Sequence, residues 1–397
     1  MHGLYVLAIV LNWIIALAWT HRALTARRNL PGTPDLLRRD LPLPSAPDSA
    51  PSITVIVPAR DEAAAIEATL RSLLAQTIPI QIFAVDDRST DATGSIMDQL
   101  AREAAAAGKI LSALHIDSLP AGWMGKNHAM ALAARQTATP WLLFTDADVV
   151  FQPDTLERAL RYAQESSVDH LVLLPTLILK TPGERMMSAV FQSLSLLAWR
   201  PWKIADPKAK RESIGMGAFN LVRTEVYQAT GGFEARPMEI LEDLSLGFEI
   251  KRRGFRQHMV LGRDLIRLHW AAGAFGMVHN LTKNVYATFR FRLVLFLGAW
   301  LGLLIICFAP LAGLFAPWPI RAASLVALLM IAELYRLASR YYNRIPAICV
   351  LTFPLAIVLV LYAMLRSMIV TLARGGVVWR GTFYPLRELR RHAGPLR

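Results

Sequence analysis

Apolar positions along this chain follow two different rules. Over residues 52–290 they come in short runs divided by polar turns and helix-period stretches; at both ends they form long, nearly unbroken segments. In the middle, ITVIVPARDE (53–62) is an apolar run that halts at Pro58, and Ile66, Leu70, Leu73 and Leu74 then recur at helical spacing. QIFAVDDRSTD (81–91) predicts a second strand, ending in Asp86 and Asp87, with a Ser/Thr/Asp turn able to cap a helix. WLLF (141–144) predicts a third, followed at once by TDAD (145–148). HLVLLPTLI (170–178) and AFNLV (218–222) read as further strands, and EDLSLGFEIKRRG (242–254) as a helix. Strands alternating with helices predict an α/β domain whose sheet delivers acids to the C-terminal strand edge, where open α/β sheets bind ligands. Asp146 and Asp148 lie two apart, on one side of an extended segment, which suits a hard cation such as Mg²⁺ or Mn²⁺.

The ends predict membrane segments. Leu4–Trp19, broken only by Asn12, has about the minimum length of a spanning helix, and 293–315 and 345–370 are longer. The run 322–335 is shorter and contains Glu333. No basic region or small-residue cleavage site precedes His21, so the first run reads as an anchor rather than a signal peptide. Arg22, Arg27 and Arg28 follow it, which predicts an N-terminus outside and a cytosolic middle domain in a multi-pass protein of the cell (inner) membrane. Six prolines in 29–51 predict an extended linker. Six arginines from Arg374 onward favour a cytosolic tail, hence an even number of C-terminal crossings with 322–335 only partly inserted. The expected division is 1–21 anchor, 22–51 linker, 52–290 α/β domain, 291–372 membrane region and 373–397 basic tail. The segment 181–203 carries a wide apolar helical face bordered by Arg200, Trp202 and Lys203; it suits either a helix packed on the sheet or one lying on the bilayer.

Composition narrows the partners. A net charge of +13 on 397 residues admits nucleic acid, but the arginines border apolar segments and no nucleic-acid-binding pattern accompanies them, so anionic lipid is the expected counter-surface. The two cysteines, Cys307 and Cys349, sit inside apolar runs and offer no metal cluster or disulfide framework.

IVPARDE, VDDRSTD, TDAD and LED (241–243) appear in an order and spacing that resembles the inverting family 2 glycosyltransferases of GT-A fold, over roughly 52–290. The resemblance implies a Rossmann-like mixed sheet, a UDP-sugar donor and Mg²⁺ or Mn²⁺. It implies that Asp87, with Asp86 beside it, holds the nucleoside in a pocket completed by Pro58, Ala59, Arg60 and Glu62. Asp148 then ligates the metal with Asp146 in support, and Lys126 of WMGKNHA (123–129) stands near the donor. Asp243 would be the general base, with Glu242 as the fallback. The chain lacks the Q/R-x-x-R-W element of processive members, offering RLHW (267–270) instead. VHNLTKN (278–284) is similar to the variant in membrane enzymes of hopanoid and carotenoid pathways, which implies a donor-side charge at Lys283. VWRGTFYPL (378–386) resembles the closing element of ceramide glucosyltransferases, with Phe383 replacing its Arg. The implied acceptor is a membrane-lipid hydroxyl. A polyprenyl-phosphate acceptor, or a catalytically silent membrane scaffold, are the alternatives.

Overall fold

The computed structural model describes residues 2–37 and 52–394; most of the expected linker, 38–51, lies outside the described residues. Helix α1 (His2–Asn29) does not stop at residue 21 but runs eight residues further. Nothing in Ala23–Thr25–Ala26 breaks a helix, Ala23 and Ala26 are fully buried, and the stop comes only near Pro31.

The α/β domain then proceeds β1 (Ile53–Ala59), α2 (Ile66–Leu74), β2 (Ile80–Asp87), α3 (Thr93–Ala106), β3 (Ile110–Ile116), α4 (Gly125–Ala134), β4 (Trp141–Phe144), β5 (Val150–Phe151) and α5 (Thr155–Glu165). It continues through β6 (His170–Leu174), β7 (Thr176–Leu177), α6 (Pro182–Ala198), β8 (Asn220–Arg223), α7 (Thr224–Ala229), α8 (Glu242–Arg252), β9 (Gln257–Leu261), β10 (Ile266–Leu268) and α9 (Gly273–Thr288). Seven strands form one sheet in the order β3-β2-β1-β4-β8-β6-β9, with β8 antiparallel to both neighbours. Every residue of β1 is buried, because side chains alternate between two cores. Val55 and Val57 pack with Leu70 of α2 and Leu100 of α3, while Ile56 packs on the opposite face with Met130 of α4 and Leu246 of α8.

The expected strand 170–178 is two strands. Pro175 has no N–H to continue the ladder, so β6 ends at Leu174 and β7 joins β10 and β5 in a second sheet.

Beyond α9 come α10 (Leu293–Ala312), α11 (Trp318–Tyr341), α12 (Phe353–Arg374), the hairpin β11 (Gly376–Trp379) and β12 (Thr382–Pro385), and α13 (Leu386–His392). Among the described residues, four helical stretches are long and apolar enough to cross a membrane: His2–Gly32, Leu293–Phe315, Trp318–Tyr341 and Ala347–Arg374. The middle C-terminal run is therefore not too short: α11 has 24 residues, and Glu333 is matched by Arg336 one turn on, at 2.6 Å. Nor is 181–203 laid open on a bilayer. Its helix, α6, starts at a Thr181/Glu184 capping box and buries Met187 and Val190 among residues of α1, α11 and α12. Phe191 meets Trp270 edge-on at 6.3 Å, and Trp199 packs beside Ile204 and Met259. The C-terminal stretch is not a free tail either, since β11 and β12 fold back onto the strand edge: Arg60 Nη1 donates to Thr382 Oγ1 at 3.1 Å and Gly125 N to the Tyr384 hydroxyl at 3.2 Å.

Candidate active site

The C-terminal ends of β2, β1 and β4, which are adjacent, face a cavity of about 1090 Å³. Its lining includes Pro58, Ala59, Arg60, Glu62, Asp87, Lys126, Asp146, Asp148, Glu242, Asp243 and Lys283, so eleven of the twelve expected site residues meet in one space. Asp86 does not line it. Its Oδ1 accepts from Ser89 N at 3.0 Å and its other oxygen faces His115 at 3.3 Å, fixing the turn into α3. Asp91 completes that turn by accepting from Thr93 N (2.9 Å) and Ala63 N (3.0 Å).

Asp87 is held from two sides: Arg88 Nε donates to its Oδ1 at 2.8 Å, and Arg60 Nη1 is 3.9 Å from its Oδ2. The start of α4 approaches so closely that a Cβ on Gly125 would stand 1.9 Å from Asp87 Oδ2.

The chain turns at Ala147–Asp148 instead of staying extended through the motif, and the two acids of TDAD have different surroundings. Asp146 Oδ1 lies 2.6 Å from Lys126 Nζ, and the same nitrogen is 2.6 Å from Glu242 Oε1. Burial by itself would pull the Lys126 ammonium down, but Asp146, Glu242 and Asp243 around it outweigh burial and hold it well above the usual lysine range. Burial raises the Glu242 carboxyl against the pull of Lys126, and Asp146 ends below its ordinary value because Lys126, Lys283 and Arg380 overcome its burial. Among the described residues Asp148 has no such neighbour at hydrogen-bond distance: burial first, then the charges of Asp146 and Glu62, push it up to about 6.

Asp243 opens α8 beside Glu242, its Oδ1 accepting from Leu244 N at 2.7 Å. It is set against a glycine loop that sequence reasoning missed. A Cβ on Gly215 would stand 1.8 Å from the Asp243 carbonyl oxygen, one on Gly217 2.5 Å from Asp146 Oδ2, and one on Gly247 1.8 Å from the Ile214 carbonyl. Behind the loop, the buried Gln257 amide accepts from Ile214 N and donates to Ile214 O (both 2.9 Å), to Gly247 O (3.0 Å) and to His170 Nδ1 (2.7 Å). Burial takes His170 down to about 4, which keeps it neutral and able to accept there.

The far wall is formed by α9, α12 and the C-terminal hairpin. Lys283 Nζ sits 3.6 Å from the Trp379 ring centroid, and burial with the nearby Lys126 and Arg380 charges takes it down to about 8, against the pull of Glu242. Arg380 is ion-paired with Glu62. His279, Asn280, Arg366, Thr371 and Arg374 extend the lining toward the apolar helices. Arg88 and Arg380 lie inside VDDRSTD and VWRGTFYPL but drew no role from them, because their partners Asp87 and Glu62 are set by the fold; the glycine loop at 215–217 belongs to no motif.

Residues 50–286 match the family described as "Glycosyltransferase like family 2". A 4,4'-diaponeurosporenoate glycosyltransferase of Staphylococcus haemolyticus (strain JCSC1435) is 28% identical over 241 residues, 60% of this chain and 62% of that one. Another, of Staphylococcus aureus (strain USA300), is 29% identical over 198 residues, 49% of this chain and 50% of that one. The chain thus spans about half to six-tenths of the length of these relatives. Among solved structures, a mannosyltransferase from Pyrobaculum calidifontis in complex with GDP-Man and Mn²⁺ is 19% identical, with 92% of this chain and 97% of that chain covered at a TM-score of 0.49.

Proposed function

Because this chain belongs to glycosyltransferase like family 2 and has that family's GT-A fold, we propose that it transfers a sugar from a UDP-sugar to a membrane-lipid hydroxyl with inversion, on the cytosolic face of the inner membrane. The observation that carries the reading is the continuity of one cavity, from the strand-edge acids to the walls that lead into apolar helices. A donor soluble in water and an acceptor soluble in lipid both have access to it. The curated relatives named for 4,4'-diaponeurosporenoate support a lipid acceptor, although that name is of a carboxylate and the hydroxyl is proposed for this chain on its own site.

In this reading Asp87, steadied by Arg88 and Arg60, holds the nucleoside, and Pro58, Ala59, Arg60 and Glu62 line its pocket. Asp148, with Asp146 in support, would hold a divalent cation. The donor set fits: Asp148 is a crowded carboxyl whose raised pKa a cation would relieve. Among the described residues no three His, Cys, Asp or Glu side chains gather to hold an ion unaided, so donor diphosphate oxygens would complete the ligands. When bound, the cation offsets charge on the departing diphosphate. Lys283 and Arg380 add positive charge from the far wall.

Asp243 accepts the proton of the lipid hydroxyl while that oxygen bonds to the anomeric carbon and the carbon–phosphate oxygen bond breaks on the opposite face. One base suffices, with no nucleophile and no second acid. Glu242, already committed to Lys126, is the weaker candidate. The test is transfer of label from a radioactive UDP-sugar into the organic-soluble fraction of membranes containing the chain. Label appearing there, and not with a chain bearing Asp87→Ala, is expected; label remaining wholly in water-soluble product with every lipid extract overturns the lipid acceptor.

A further inference from the structure

We infer that residues 344–375 enter and leave the bilayer by the same face, the one against the α/β domain, so that α12 is a re-entrant ramp from the nearer leaflet's acyl chains into the cavity rather than a fourth crossing. The inference rests on the membrane reading above.

Composition alone offers three crossings after the α/β domain. Three complete crossings would put the residues after α12 on the opposite face from those before α10. Yet both sets are fastened to the same domain. Before α10, Arg290 Nη1 lies 2.8 and 2.7 Å from the two carboxylate oxygens of Glu239, in a buried pair. After α12, Thr382 and Tyr384 bond Arg60 and Gly125 at the strand edge. The number of complete crossings between them is therefore even.

The contacts say which segment turns back. Trp19 Nε1 of α1 donates to Ile306 O of α10 at 3.1 Å, and Gly313 abuts Ser324 and Asn12, so α10 runs out to a distal turn at 313–317. Helix α11 comes all the way home: Asn343 Oδ1 accepts from Leu177 N of β7 at 2.8 Å, and Arg263 Nη2 reaches Arg340 O at 3.4 Å. At about 1.5 Å per residue its 24 residues span roughly 36 Å, enough for a hydrocarbon core of about 30 Å.

Residues 344–374 do not go as far. Phe353, the first residue of α12, packs edge-on against Tyr335 at 6.3 Å. Tyr335 precedes Asn343 by eight residues, which is about 12 Å of helix and less than half the core of about 30 Å. Trp300 Nε1 then donates to Leu361 O at 3.1 Å, level with the second turn of α10. By Ser367 the helix is already on α9: its hydroxyl donates to Thr282 O (2.6 Å) and accepts from Tyr286 N (2.9 Å). The lower turns bring Arg366, Val370 and Arg374 into the cavity lining.

The bend itself is apolar and bare, with Ile348 70%, Leu351 74% and Leu355 58% exposed. Arginines stand at both feet, Arg344 and Arg374. Exposed aliphatics above and cations at each foot match acyl chains topped by headgroups. The bare face continues that of α10, where Val294 and Leu301 are 83% and 51% exposed.

The test is two-sided labelling with a membrane-impermeant maleimide, in full-length chain whose Cys307 and Cys349 are replaced by serine. Arg344→Cys reports the residue before the ramp, Arg391→Cys the residue after it, and Trp318→Cys the distal turn. The ramp predicts that 344 and 391 react from one face and 318 from the other. Reaction of 344 and 391 from opposite faces overturns it, because a fully crossing α12 and a non-crossing α11 both give that pattern. Pro346→Cys replaces the first probe should Arg344→Cys fail to accumulate. Release of the chain by alkaline carbonate wash would overturn the membrane reading itself, and with it the ramp.

Discussion

Lys126 Nζ lies 2.6 Å from Glu242 Oε1, joining the start of α4 to the start of α8 across the floor of the cavity. Both side chains are largely shielded from water, and the same ammonium serves Asp146. An acid at the first turn of a helix is favoured by the helix dipole, but a buried one beside a second acid needs a nearby cation as well.

Lys126→Met should therefore leave buried carboxylates without a counter-charge and cost roughly 3 kcal/mol or more. A thermal unfolding scan of detergent-solubilised protein checks this. Adding Glu242→Gln to Lys126→Met should recover part of the loss, since the two sites form one charge pair. Strict additivity of the two single losses would refute the coupling.

Two shifted groups set a pH window for donor binding. Asp148, held at about 6, takes a proton as pH falls through that value and ceases to attract a cation; Lys283, held at about 8, loses its charge as pH rises through that value. At subsaturating Mg²⁺ or Mn²⁺, where metal-free Asp148 sets the acid side, kcat/KM should fall on both sides of roughly 6 to 8. Lys283→Arg should carry the alkaline limb upward, because guanidinium stays charged. Stability runs the other way at the acid end. A raised carboxyl binds its proton more tightly in the folded chain, so this group's contribution declines as pH climbs from its ordinary 3.8 to about 6.

Asp148→Asn removes an anionic oxygen and keeps the shape. UDP binding should lose its dependence on Mg²⁺ or Mn²⁺, and turnover should drop at least about a hundredfold. EDTA should reproduce the loss in unmodified protein. Full activity in EDTA without added metal takes the cation out of the reaction.

Gly215→Ala introduces a Cβ where the Asp243 carbonyl already stands, 1.8 Å away. The first turn of α8 must shift, and a displacement near 1 Å commonly costs about a hundredfold in rate. kcat should fall while UDP affinity stays close to that of the parent. Gly298→Ala, which meets nothing within 4 Å, should be silent. Equal effects of the two would deny the loop its role.

Three of the four acidic motifs were readable because each follows an apolar strand and the strands share an edge, while LED opens α8; local pattern and sheet geometry gave the same answer. The different surroundings of Asp146 and Asp148 were not readable. They depend on Lys126 arriving from α4 and on a turn where period-two reasoning assumed extended chain. Asp86 was grouped with Asp87 by adjacency, but consecutive strand residues face opposite sides, and only Asp87 reaches the cavity. The stretch 373–397 read as a basic tail because its arginines dominate its composition. Gly376, Thr382 and Tyr384 instead build a hairpin whose partners, Arg60 and Gly125, lie hundreds of residues earlier, and no local pattern encodes that.

The most direct test of the proposed chemistry compares Asp243→Asn with the parent in two measurements on one preparation: UDP-sugar affinity, and the rate of label transfer into lipid. Asparagine preserves shape but cannot accept the acceptor's proton. Affinity should stay near that of the parent while the rate falls by roughly 10²–10⁴, the range for loss of a general base. Loss of affinity in step with rate would make Asp243 a donor-site residue. An undiminished rate would mean an acceptor that needs no base, such as a phosphate or a carboxylate, and would contradict transfer to a lipid hydroxyl.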